Sequence, residues 1–160
     1  MKTITKITIT EDIALITLRN SPADMAYIAH VFKVIAEKDI NVDMISQTAP
    51  LGGKINLSFT ARDENLGDIL ETFATLRAEY PEIKSDIYGG NCKISLYGEA
   101  MQAVSGVAAE VFKTIADLNV DISIITTSEV DISILIPKAD FHTVSEALEK
   151  SYGKEIFQIV

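Results

Sequence analysis

Few residues of this chain could do chemistry, and none of them forms a catalytic arrangement. The two histidines are His30 and His142, and neither has a serine or cysteine at a spacing typical of a nucleophile with its base. Gly52-Gly53 precedes a predicted strand, whereas a phosphate-binding glycine loop of the P-loop type opens a helix. We therefore expect this chain to have no enzymatic activity, no metal site and no cofactor.

Two other functions are also disfavoured. Hydrolysis of acyl phosphates needs a loop arginine and an asparagine that hold phosphate, and the available pair, Arg19 and Asn41, does not lie in a nest of backbone amides. Binding of RNA through a sheet needs exposed aromatic residues on the central strands, where this chain has isoleucine, threonine and serine. The net charge of −9, from 14 basic and 23 acidic residues, disfavours nucleic acid and anionic membranes as partners.

The remaining chemistry is ligand binding at the start of a helix. A helix N-terminus offers free backbone amides and a partial positive charge, which suit a carboxylate. The loop from Pro22 leads into a predicted helix that Asp24 can cap. Asn41 and Gln47, at the two ends of the following strand, could recognise the amino group and side chain of a small amino acid. The alternative is that Asn41 is a turn residue and Gln47 an exposed strand position.

The elements that position these residues occur twice. Residues 16–47 form a predicted strand, loop, helix and strand, and identical residues recur 80 positions later without a gap. Among them are Ala29, Val31, Phe32, Lys33, Ile35, Ala36 and Ile45, which recur as Ala109, Val111, Phe112, Lys113, Ile115, Ala116 and Ile125. The repeat indicates an internal duplication and two units of similar size.

Each unit is predicted to have the element order β-α-β-β-α-β, an α+β arrangement called ferredoxin-like. Such a unit has four antiparallel strands and two helices on one face. Residues 3–10 alternate isoleucine with polar residues, which predicts an extra N-terminal strand that adds to an edge of one sheet. Glu11-Asp12 is the expected turn after that strand, and residues 89–91 are the expected hinge between the units.

The single cysteine, Cys92, excludes an intrachain disulfide and a CxxC site. Because Cys92 falls within a predicted strand, we expect a buried thiol. The chain starts directly with alternating residues and has neither the apolar block of a signal peptide nor a window typical of a transmembrane span. These features predict a cytoplasmic protein that does not enter a membrane.

Three motifs resemble a known family. Residues 40–47, INVDMISQ, resemble the INxDMxxQ segment of aspartate kinase regulatory regions, and residues 125–133, ITTSEVDIS, are similar to the ISTSExxIS segment of their second ACT domain. Residues 95–98, Met101 and residues 106–109 resemble the strand, loop and helix that open that second domain. The similarity runs from about Ile4 to Gly153, nearly the whole chain.

The resemblance implies two ACT domains, in which residues 12–89 form a first domain inserted into a second domain of residues 1–11 and 90–160. It implies a regulatory protein, similar to the separate regulatory subunit of some family members, that inhibits aspartate phosphorylation when it binds an amino acid. The implied effector is threonine or lysine, both products of the lysine, threonine and methionine pathway. Because the family holds effectors between paired ACT units, it also implies a homodimer or higher oligomer, with a kinase subunit as a further partner.

The resemblance also implies the residues of the effector site. In the first copy these are Pro22, Ala23, Asp24, Met25, Ala26, Tyr27, Asn41, Val42, Asp43 and Gln47, and in the second copy Met101, Gly106, Val107, Ala108, Asp121 and Ile122.

This chain departs from the family pattern at the first helix start. The family loop reads roughly PDxPG, and here alanine replaces both the acid at position 23 and the glycine at position 26. The second copy keeps Gly106, but Asp121 stands at the position equivalent to Asn41 and Ser105 stands where proline is usual. The alternative function is therefore an ACT-type dimerisation module whose site is retuned to another small amino acid or binds none.

Overall fold

The computed structural model describes residues 3–160, and in them seven strands and four α-helices. In chain order these are β1 (Lys6–Pro22), α1 (Met25–Ala36), β2 (Asp43–Gln47), β3 (Lys54–Arg62), α2 (Leu66–Glu79), β4 (Lys84–Tyr97), α3 (Val107–Ala116), β5 (Ile124–Thr127), β6 (Asp131–Pro137), α4 (Phe141–Tyr152) and β7 (Phe157–Ile159). Contacts between residues divide the chain into a first unit, Asp12–Gly89, and a second unit, Gly90–Val160 with the start of the chain up to Glu11.

The first unit has the strand order β2-β3-β1-β4, in which β3 is antiparallel to β1 and to β2. Alternate residues of β1 (Ala14, Ile16 and Leu18) pack in one core with residues of α1 and α2 such as Val31 and Phe73. Successive side chains of a strand point to opposite faces, so these residues face the helices and their neighbours form the other face. This is the predicted ferredoxin-like arrangement.

A β-bulge interrupts the pairing of β1 with β3. The register shifts between Leu18 and Ser21, and Asn20 has a φ of 59°, a left-handed conformation that asparagine tolerates better than most residues. The strand nevertheless continues to Pro22, which pairs with Lys54. The bulge takes up the extra residue and allows pairing to resume.

The second unit has the strand order β5-β6-β4-β1-β7, in which β6 is antiparallel to β4 and β5, while β7 is parallel to β1. The prediction that the N-terminal strand adds to an edge is wrong, because the start of β1 lies between β4 and the three-residue strand β7. Its residues Ile7 and Ile9 are fully buried. Burial of these two side chains at an interior position of the sheet stabilises the strand more than an edge would.

The predicted turn at Glu11-Asp12 and the predicted hinge at residues 89–91 are also wrong. Each position lies inside a strand, the first in β1 and the second in β4. The irregular backbone is confined to Asp12, with a φ of 56°, and Gly90, with a φ of 71°. The turn-forming residue types at these positions therefore mark local deviations in two long strands.

The core of the second unit contains Cys92, which confirms the predicted buried thiol. Its side chain packs with Ile94, Val111, Ile134 and Val144, and it has no exposed surface. Within residues 3–160, no helix is both long enough and apolar enough to cross a membrane.

Candidate effector site

The start of α1 is capped by the chain itself. Asp24 is the N-cap residue, and its carboxylate accepts a hydrogen bond from the Ala26 amide at 3.1 Å, as predicted. In the preceding loop, the Ala23 amide donates to the Gly53 carbonyl at 2.9 Å. An internal carboxylate thus already occupies the position at which a helix N-terminus attracts an anion.

The start of α3 differs at two repeat positions that bear on capping: Val104 stands where the first copy has Asp24, and Gly106 stands where it has Ala26. Gly106, which the repeat aligns with Ala26, adopts a φ of 89° and is the N-cap of α3, with no side chain capping the helix. Glycine reaches this conformation readily, whereas alanine pays for its Cβ atom. In the first copy Ala26 is instead part of the helix, so α1 begins two repeat positions earlier than α3. The first-turn amides of α3 therefore lack a side-chain cap.

The open end of α3 lines a cavity of ≈ 470 Å³. Facing it is the turn between β5 and β6, which contributes Thr127, Ser128 and Glu129. The full lining consists of Met101, Gln102, Val104, Gly106, Val107, Ala108, Thr127, Ser128, Glu129 and Ile132. Of the site residues predicted in the second copy, Met101, Gly106, Val107 and Ala108 come together here.

Asp121 and Ile122 do not reach this cavity, because they precede β5 at the other end of the sheet. The neighbouring Ser123 amide donates to the Leu135 carbonyl at 2.8 Å, and Leu135 pairs with Lys93 near the start of the second unit's part of β4. The cavity lies instead near the opposite end of that strand, where Tyr97 pairs with Asp131.

The predicted residues of the first copy are separated in the same way. Asp43 pairs with Thr60, which pairs with Leu15, whereas the loop before α1 follows Pro22. From Leu15 to Pro22 the strand advances about 20 Å. Asn41 and Val42, which precede Asp43, are therefore remote from the loop in the same unit, while Gln47 is at the nearer end of β2.

Two predicted residues of the first copy have structural roles. The side chain of Tyr27 is 2% exposed, its hydroxyl lies 3.0 Å from the Ser21 hydroxyl, and its ring packs edge-on against Tyr80 at 4.9 Å. Burial raises the pKa of the Tyr27 hydroxyl. Asp43 accepts a hydrogen bond from the Met44 amide at 2.8 Å, which supports the irregular start of β2. By contrast, Met25 is 71% exposed and available at the helix start.

Six lining residues were missing from our site prediction, and three of them, Thr127, Ser128 and Glu129, are consecutive in the chain. These three belong to the ITTSEVDIS segment, which carried the family resemblance, so the signal for them was present in the sequence. Ser128 is held in the turn by its amide, which donates to the Asp131 carbonyl at 2.8 Å. Only the fold shows that this turn lies opposite the start of α3.

The cavity of the second copy is complementary to the polar groups of an amino acid. The uncapped amides of α3 suit a carboxylate, the Glu129 carboxylate suits an ammonium group, and the Thr127 and Ser128 hydroxyls can bond a polar side chain. In the described part of the chain, no group of three or more His, Cys, Asp and Glu residues could hold a metal ion. His30 does not line the cavity, since its Nε2 atom lies 3.2 Å from a Glu79 carboxylate oxygen of the first unit.

Comparison with known proteins identifies several similar chains. The ACT domain model matches residues 94–152. The aspartokinase of Mycolicibacterium smegmatis is 31% identical over 144 residues, which are 88% of this chain and 34% of that protein. The ligand-free regulatory subunit of aspartate kinase from Thermus thermophilus superposes with a TM-score of 0.84 and 29% identity, covering 94% of this chain and 99% of that one.

A structure of aspartokinase alpha and beta subunits is also similar, with a TM-score of 0.83 and 28% identity over 93% of this chain and 98% of that one. The chain spans about a third of the length of the curated relatives it matches.

Proposed function

We propose that this chain, which is similar over nearly its whole length to aspartokinase regulatory regions, binds a small amino acid and thereby controls aspartate phosphorylation. The proposed effector is threonine or lysine. The observation that carries the proposal is the uncapped start of α3, which opens on a cavity of ≈ 470 Å³ opposite Glu129. A volume of this size suits a small metabolite.

We propose that the second copy holds the effector. Its carboxylate accepts hydrogen bonds from the first amides of α3, and its ammonium group pairs with Glu129. The alternative function, a dimerisation module, fits the first copy better. There the backbone amides at and before the start of α1 already donate to the Asp24 carboxylate and the Gly53 carbonyl.

The distribution of the site residues supports pairing between copies of the chain. Within each unit, the helix start and the residues that enter the edge strand lie at opposite ends of the sheet. If the edge strands of two molecules paired in an antiparallel manner, the helix start of one molecule would lie near the residues that enter the edge strand of the other molecule. Ile45 of β2 and Ile125 of β5, which are repeat equivalents, are 52% and 44% exposed on these edge strands. Exposed edges of this kind favour pairing with another strand.

Such a pairing would also explain regulation. An effector that bridges two copies stabilises the arrangement in which both halves of its site meet, and it shifts the equilibrium by its difference in affinity for the two arrangements. A kinase subunit or domain that prefers the other arrangement would be inhibited. The similar structure of aspartokinase alpha and beta subunits supports a kinase subunit as the partner.

Isothermal titration calorimetry with threonine, lysine, methionine and leucine tests the proposal. We expect one of them to bind and Glu129→Gln to weaken that binding about tenfold, because the ammonium group loses its ionic partner. Glu64→Gln removes an equally exposed acid from the first unit and serves as the matched control. Asn41→Ala tests which repeat of the chain holds the effector. A comparable loss of affinity in this variant would assign the effector to the first repeat. No heat and no thermal shift with any common amino acid would contradict effector binding altogether.

A further inference from the structure

A second cavity, of ≈ 540 Å³, lies in the first unit and is lined by none of the residues that line the proposed effector site of the second copy. It is formed by the bulge of β1, the loop between β2 and β3 and the start of β4. Its lining residues that bear on binding are Arg19, Asn20, Thr48, Leu51, Asn56 and Lys84.

The bulge sets the hydrogen-bonding polarity of this cavity. The Asn20 amide donates to the Asn56 side-chain carbonyl at 3.3 Å, so the carbonyl oxygen of Asn56 is engaged and its NH₂ group is left as a donor. The Asn56 amide in turn donates to the Thr48 hydroxyl oxygen at 2.9 Å. The hydroxyl hydrogen of Thr48 is then free to donate to a ligand. Both groups therefore present donors.

The charged residues that line the cavity are all basic, although the chain carries a net charge of −9. Arg19 is held by a two-bonded ion pair with Asp86, and the Lys54 ammonium lies 2.7 Å from a Glu82 carboxylate oxygen. Lys84 is exposed and makes no ion pair within residues 3–160. The cavity thus combines one uncompensated cation with neutral donors, which is the chemistry of an anion site.

One wall of the cavity is apolar. Leu51, at the tip of the loop between β2 and β3, is 85% exposed, and the neighbouring Ala49 and Ile55 also contribute. An inorganic anion would leave this wall uncovered, whereas an organic anion would bury part of it.

We propose that this cavity binds a small organic anion, whose carboxylate or phosphate group is held by Lys84, Asn56 and Thr48 and whose apolar part covers Leu51. The site is separate from the amino-acid effector site, and either can exist without the other.

Nitrogen–proton correlation NMR of the full chain tests this proposal. Pyruvate, glycerol phosphate and inorganic phosphate are titrated separately against sodium chloride of matched ionic strength. We expect saturable shifts of the Asn56 side-chain NH₂ and the Asn20 amide with an organic anion. Comparison of pyruvate with glycerol phosphate identifies the preferred anionic group. Weaker binding of inorganic phosphate than of glycerol phosphate would indicate that contact with the apolar wall contributes to the affinity.

Three variants assign the shifts to the cavity. Lys84→Gln removes the uncompensated cation and should weaken binding about tenfold. Asn56→Asp keeps a carbonyl oxygen for the Asn20 amide but replaces the donor with a negative charge, so binding should be lost. Lys33→Gln removes a lysine charge from the exposed face of α1 and should leave the affinity unchanged.

The proposal is overturned if neither pyruvate nor glycerol phosphate gives localised shifts, or if Lys84→Gln and Lys33→Gln reduce the affinity equally. It is also overturned if Lys84→Gln leaves the affinity unchanged, a result that does not depend on whether Asn56→Asp folds.

Discussion

The two helix starts differ at two repeat positions, where Asp24 and Ala26 of the first copy correspond to Val104 and Gly106 of the second. Ala26 is helical and its amide bonds Asp24, whereas Gly106 adopts a left-handed conformation and leaves the start of α3 without a side-chain cap. A family departure noted in the sequence thus has a structural consequence. The second copy keeps glycine at this position and has Val104 where the first copy has Asp24, so the start of α3 has no side-chain cap.

Gly106→Ala should disturb the start of α3 without giving it a cap, because Val104 stands at the repeat position of Asp24. Because a Cβ atom is unfavourable at a φ of 89°, we expect a loss of about 1 to 2 kcal/mol in the free energy of unfolding, together with loss of amino-acid binding. Urea denaturation and calorimetry measure the two effects. Gly67→Ala is the control, since it adds a methyl group in open space on α2; it should raise the free energy of unfolding by up to about 1 kcal/mol and leave amino-acid binding intact. Full binding by Gly106→Ala would remove this helix start from the site.

Tyr27 should make stability depend on alkaline pH. Burial raises the pKa of its hydroxyl, so the neutral form is favoured in the folded state. Its contribution is therefore complete below the unfolded-state pKa of about 10 and is lost as the pH rises through the higher folded-state pKa.

Tyr27→Phe should lower the free energy of unfolding by about 1 kcal/mol at neutral pH, because the hydrogen bond to Ser21 is lost. It should also flatten the decline above about pH 10. A residual decline is expected, since burial also raises the pKa of Tyr97 and Tyr152. Urea denaturation across this pH range measures both effects, and a decline as steep as that of the original chain would contradict the assignment to Tyr27.

At the scale of the element, α1 carries its own anionic cap. The bond from the Ala26 amide to Asp24 satisfies one of the amides that a helix leaves unpaired at its start. The acid also lies at the positive end of the helix. The cap thus stabilises a helix whose inner face, including Val31 and Ile35, forms part of the core of the first unit.

Asp24→Ala should reduce the free energy of unfolding by about 1 kcal/mol, as is typical for the loss of an N-cap carboxylate. Asp121→Ala is the matched control, because it removes an exposed acid that precedes a strand and caps no helix. Thermal and urea denaturation of both variants provide the measurement. Equal stability of the two variants would mean that the cap contributes nothing beyond its charge.

At the scale of the whole molecule, each unit has an edge strand, β2 or β5, that carries an exposed isoleucine. These isoleucines, Ile45 and Ile125, occupy equivalent positions of the repeat. Natural edge strands are usually protected by charge, proline or a covering element. The exposed isoleucines therefore support the proposed pairing of copies.

Ile45→Lys and Ile125→Lys should weaken self-association, because a charge at the centre of a strand pair must be desolvated. Leu70→Lys, on an exposed position of α2, makes the same chemical change away from the edges and should leave association unchanged. Sedimentation velocity over a range of concentrations measures the effect. A monomer at high concentration in the original chain would contradict pairing through these edges.

The sequence by itself determined the local structure. Apolar residues at helical and alternating spacing predicted the four helices, the repeated order of elements and the buried Cys92, and the type of Asp24 predicted its cap. These features depend on residues close together in the chain, so their patterns are readable without the fold. The motif around Ser128 and Glu129 also predicted the family.

Only the tertiary structure decided which distant residues meet. Strand pairing and register depend on the burial of whole faces, so the sequence did not reveal that the start of β1 lies between β4 and β7. The same register separates Asn41 from the loop before α1 and brings Glu129 to the start of α3. The candidate site was therefore recognisable in its parts, while its assembly required the arrangement of the sheet.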